Sequence, residues 1–75
     1  MADLQLLKEI IKQSGVTMVA LAKNSGIKRE TLYNRLDGKG EFTAPEIVGL
    51  TKALRLSKTE RETIFFANKV AFKAT

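Results

Sequence analysis

Four residues between Lys28 and Leu36 carry groups that can recognise the edges of nucleic-acid bases: Arg29, Glu30, Tyr33 and Asn34. A guanidinium donates two bonds to guanine O6 and N7, a carboxamide pairs with adenine N6 and N7, and a carboxylate accepts from cytosine N4. The Tyr33 ring either touches a thymine methyl or a phosphate, or packs over Arg29. Leu32 and Leu36 are four apart, so on a helix they share one inward face and leave Arg29, Glu30, Tyr33 and Asn34 pointing largely outward. Each also has a plainer reading. Arg29 can be a solvated charge paired with a carboxylate, a contact of little energy. Glu30 can satisfy Lys28 or Arg29, or can repel base acceptors and so exclude wrong sequences. Asn34 can simply face solvent. Lys28, Arg35 and Lys39 flank the four and suit phosphate contacts, which are more numerous and less demanding than base contacts. Lys23 reads as plain surface.

The elements that must position these side chains are helices. The apolar periodicity predicts five helical segments, no strands and no repeat. The first runs from about Leu4 to Ser14, with Leu4, Leu7 and Ile11 on one face, Asp3 as N-cap and Gly15 as the stop. The second follows the N-cap Thr17 and ends near Ser25–Gly26, and Val16 and Leu21 have the spacing of a hydrophobic staple. The third spans about 28–36 and closes at Asp37–Gly38. The fourth begins at Thr43, where Thr43 and Glu46 form a capping-box pattern, Pro45 lies in the first turn and Phe42 can staple to Ile47. Its apolar face is Ile47, Leu50 and Leu54. The fifth begins at Ser57, with Ser57 and Glu60 as a second capping box, and continues to roughly Phe72. Gly49, inside the fourth segment, costs helix stability. Either it is tolerated there or it permits close approach of a neighbouring helix.

Composition bounds what the chain can do. Its 75 residues make one domain, expected to span 1–75. It has no Cys and no His. Disulfides, thiolate metal sites, the commonest metal ligand and the commonest general base are therefore absent. The carboxylates are scattered among helix caps and charge pairs, with no constellation of nucleophile, base and oxyanion donors. No catalytic residue, metal, cofactor or small-molecule ligand is expected. No apolar run approaches the roughly 18 residues of a membrane span, and no signal-peptide pattern opens the chain, so a cytoplasmic location is expected. The net charge is +5 and favours polyanion partners. Residues 15–40 hold Lys23, Lys28, Arg29, Arg35 and Lys39 against Glu30 and Asp37, the largest local excess.

The stretch from Thr17 to Lys39 joins two short helices by a tight turn at Gly26. Leu21 and Ala22 suit the packed side of the first helix, and Ile27 plugs the core after the turn. This pattern resembles the helix-turn-helix of the phage Cro and repressor family, the lambda-repressor-like or XRE-type domains. The resemblance rests on Thr17, Leu21–Ala22, Gly26–Ile27, Thr31–Leu32 and the Asp37–Gly38–Lys39 turn, and extends to the flanking segments. It implies a compact all-α, five-helix domain that binds double-stranded operator DNA, usually as a homodimer, and regulates transcription in a bacterial cell or phage-infected host. By that resemblance Arg29, Glu30, Tyr33 and Asn34 fall at base-facing positions. Thr17, Met18 and the turn through Lys39 fall near the DNA backbone. The chain departs from the pattern at Met18, where a polar Gln is frequent, at Lys28, where Ser or Thr often caps, at Asp37, a frequent Asn, and at Ser25, usually apolar.

The fifth segment is apolar most of the way round. Ile64, Ala67 and Ala71 lie together on a helical wheel, with Phe65 and Phe72 to one side and Phe66 and Val70 to the other. An arc this wide exceeds one packing face. It is either inserted deep in the monomer core or builds a two-fold dimer interface, for which Phe66, Val70 and Phe72 are the candidates. A dimer suits a helix-turn-helix, since it sets two recognition helices roughly 34 Å apart. The rival reading is a protein-interaction module, such as an antitoxin or anti-repressor, that uses this same apolar surface for a different partner.

Overall fold

The computed structural model describes residues 2–66. Among them are five helices and no strand: α1 (Leu4–Ser14), α2 (Met18–Ser25), α3 (Arg29–Leu36), α4 (Ala44–Leu54) and α5 (Lys58–Phe65). Four of the five begin with a side chain that accepts a bond from an otherwise orphaned backbone N–H. Asp3 accepts from Leu6 N at 3.0 Å and Thr17 from Ala20 N at 3.1 Å. Thr43 with Glu46 and Ser57 with Glu60 form complete capping boxes. Stops are equally local. Gly15 and Gly26 close α1 and α2 at φ +74° and +76°, a left-handed conformation that glycine adopts without a Cβ penalty.

The core gathers one stripe from every helix. Leu7, Leu21, Leu32, Leu50 and Ile64, one from each, are fully buried. Ile11, Ala22, Ile27, Leu36, Leu56 and Phe65 complete the cluster. Phe65 meets Phe42 edge to face, with ring centroids 5.4 Å apart. Asp3 N donates to the Ile64 carbonyl at 2.6 Å, so the start of the chain is held against α5.

The most extensive helix pairing is α2 against α4. Gly49 explains how it forms. A Cβ at this position would overlap the Ser25 carbonyl oxygen of α2 and come within 3.3 Å of the Ser25 Cα. Gly49 therefore serves close approach of two backbones, and its helix-propensity cost is offset by that contact. Buried Ser25 stays satisfied within its own helix, donating to the Ala22 carbonyl at 3.3 Å.

Helix α5 is shorter than the apolar pattern suggests. It stops at Phe65, because Phe66 takes φ −129° and ψ +25°, outside helical values, after a last bond from its N–H to the Glu62 carbonyl at 2.8 Å. The expected run to roughly Phe72 is corrected to this point, and residues 67–75, with Val70 and Phe72, lie outside the described residues.

Candidate nucleic-acid interface

Helix α3 is placed by two buried leucines and a turn. Gly26 reverses the chain after α2, and Ile27 drops into the core at 5% exposure. Leu32 and Leu36 then bury the inner face of α3. Arg29 and Glu30 in its first turn and Tyr33 and Asn34 in its second are all exposed, and Tyr33 is 48% exposed. An exposed aromatic ring among charged and amide groups, on a helix already anchored by its other face, gives polar donors and acceptors free to meet a ligand.

The start of α3 differs from the other helix starts. Its N-cap is Lys28, which makes no side-chain cap bond. The first bond into the helix is from Leu32 N to the Lys28 carbonyl at 2.8 Å. The amides of the first turn thus face outward with the positive end of the helix dipole, flanked by exposed Lys28 and Arg29. At the start of α2, exposed Thr17 uses its oxygen as cap acceptor and keeps its hydroxyl proton for donation. Met18 is different: its side chain is half-buried and packs against the core.

Lys39 is exposed on the loop after α3, and its N–H donates to the Asn34 carbonyl at 2.8 Å. Arg35, grouped with the phosphate contacts on sequence grounds, is engaged inside the fold. It is half-buried, with its Nε 3.2 Å from Glu46 Oε1 and its Nη1 donating to the Lys39 carbonyl at 3.4 Å. Glu46 is the residue that sequence reasoning gave only half its role. The capping-box spacing marks it, but its ion pair spans eleven positions and has no local signature.

A helix with two inward leucines, an outward polar face, an uncapped N-terminus and a bracing helix in front of it, joined through a three-residue turn, is a helix-turn-helix. A family model described as helix-turn-helix, of Cro/C1 type, matches residues 7–61. The chain belongs to this helix-turn-helix family. No curated protein and no solved structure matches it. The matched span starts in α1 and ends in α5, so it takes in both helices of the motif and the helices that pack on them. Membership makes the chain a DNA-binding protein of the transcription-regulator class, with double-stranded DNA as its partner. The helix-turn-helix family is generally non-enzymatic. Among the described residues no cluster of His, Cys, Asp or Glu is arranged to hold a metal ion, and no helix is long and apolar enough to cross a membrane.

A second surface has no α3 residue in its lining. Phe42, Ala44, Ile47, Val48, Arg61 and Phe66 line an apolar groove between α4 and α5. Val48 is 51% exposed there. Of the three dimer candidates, Phe66 is half-buried on this groove.

Proposed function

We propose that the chain is a sequence-specific regulator of the Cro or repressor kind, which binds operator DNA as a homodimer in the cytoplasm of a bacterial or phage-infected cell. The observation that carries this reading is the exposed face of α3. Arg29, Glu30, Tyr33 and Asn34 stand together on a helix anchored by Leu32 and Leu36. In the major groove Arg29 reads guanine, Asn34 reads adenine and Glu30 accepts from cytosine, while Tyr33 lies beside a thymine methyl or a phosphate. Thr17, the Met18 backbone, Lys28 and Lys39 hold the register on phosphates. These cations release counterions on binding, so affinity falls as salt rises.

The dimer proposal rests on the groove between α4 and α5. Val48 is exposed there, and Phe42, Ile47 and Phe66, which also pack against the core, complete its apolar lining. A two-fold contact here pairs each apolar patch with its own copy. Two copies then present α3 helices to successive major grooves, which calls for a near-palindromic site.

Sedimentation at micromolar concentration, free and with duplex, tests both halves. A monomer–dimer equilibrium weakened by Val48→Asp, with two chains per duplex, is the expected result. A concentration-independent monomer that binds duplex one to one removes the dimer. A chain that ignores duplex even at low salt removes the DNA reading, and the groove then favours the interaction-module alternative.

A further inference from the structure

The loop between α3 and α4 folds back over a side chain of α3. Gly38 and Gly40 take φ of +84° and +94°, and between them the chain returns so that the Lys39 carbonyl faces Arg35. A Cβ on Gly40 would lie 2.6 Å from Arg35 Nη1, so the guanidinium occupies the space that a side chain would take. On its other edge, Arg35 Nε meets Glu46 Oε1, the oxygen that also accepts from Thr43 N at 3.0 Å. One guanidinium therefore ties together the last turn of α3, the loop and the capping box of α4. Both partners are sheltered, with side chains 23% and 17% exposed, so screening by solvent is reduced relative to a surface pair.

We propose that Arg35 is a positioning residue for DNA binding, held by Glu46, that fixes the Gly38–Gly40 loop so that Lys39 is presented to the phosphate backbone. This rests on the DNA-binding reading, and it gives Arg35 a role distinct from that of a phosphate ligand. The two roles differ in the effect of Glu46. If Arg35 contacts phosphate directly, Glu46 competes for it, and removing the carboxylate raises affinity. If Arg35 acts through the loop, removing the carboxylate lowers affinity, although the protein gains positive charge.

Glu46→Gln isolates this pair, because Gln at the third helical position still completes a capping box. Duplex affinity is measured by anisotropy at several salt concentrations for wild type, Glu46→Gln, Arg35→Met and the double variant. Backbone amide spectra of the free proteins are recorded alongside. Affinity is expected to fall by roughly tenfold in each single variant and no further in the double, which is the signature of one shared interaction. The amides of Gly38, Lys39 and Gly40 shift in the free protein while those of α1 and α2 stay in place. Tighter binding by Glu46→Gln, or unmoved loop amides in both single variants, overturns the proposal. Failure of the wild type to bind any duplex overturns the DNA reading instead, and the loop amides still show whether Arg35 and Glu46 set this loop.

Discussion

Helices α2 and α3 are both eight residues long and follow one another across a three-residue turn, yet they are held in different ways. Helix α2 is fixed at both ends and along its length. Thr17 caps it, Leu21, Ala22 and Ser25 are buried, and its last carbonyl lies against Gly49 of α4. Helix α3 has no side-chain cap and is anchored by buried Leu32 and Leu36 and, in its last turn, by the Arg35–Glu46 pair, with Arg29, Glu30, Tyr33 and Asn34 in solvent. The pairing of a heavily packed helix with a lightly packed one suits the base-reading role proposed for α3. The first supplies rigidity, and the second keeps its polar groups and terminal amides available for a ligand.

Substitutions separate the two. Gly49→Ala has the largest effect, because the new methyl meets the Ser25 backbone, which has no flexible end to yield. It is expected to lower unfolding free energy by about 3 kcal/mol, read by chemical denaturation. A wild-type midpoint would show that α2 and α4 are not in backbone contact. Asn34→Ala should leave folding stability within about 0.5 kcal/mol of wild type yet weaken binding to a selected duplex by about 2 kcal/mol. Equal loss in both measurements would mean that α3 has no face set aside for binding. Thr17→Ala is expected to cost about 1 kcal/mol of stability through loss of the α2 cap. Lys28→Ser supplies α3 with the cap it lacks. It should raise stability by several tenths of a kcal/mol and reduce the dependence of log affinity on log salt by about one. A gain in stability with an unchanged salt slope would remove Lys28 from the phosphate contacts.

Much of this arrangement is written locally in the chain. Asp3, Thr17, Thr43 and Ser57 announce four helix starts because a cap is satisfied within three residues of itself. Leu32 and Leu36 give the orientation of α3 by spacing alone. What escapes a local reading depends on distant partners. Gly49 poses the choice between tolerance and close approach, and only the Ser25 backbone decides it. Arg35 looks like its neighbours Lys28 and Lys39 as a cation, and only Glu46 distinguishes it. Met18 falls, by the family resemblance, near the DNA backbone, and that its side chain packs on the core depends on partners outside its own segment. The end of α5 is missed because an apolar arc specifies helix phase without specifying where the helix stops, and the φ of Phe66 sets that end.

The most direct test is selection of binding sites from a random double-stranded DNA pool at near-physiological salt, run in parallel with wild type and Arg29→Ala. Arg29 is exposed at the start of α3 and outside the core, so the variant is expected to fold normally. Recovery of a near-palindromic consensus by the wild type, relaxed in Arg29→Ala at one symmetric guanine position and unchanged elsewhere, is the predicted outcome. The same consensus from both proteins, or none from the wild type with binding that simply fades as salt rises, would contradict base reading by the exposed face of α3.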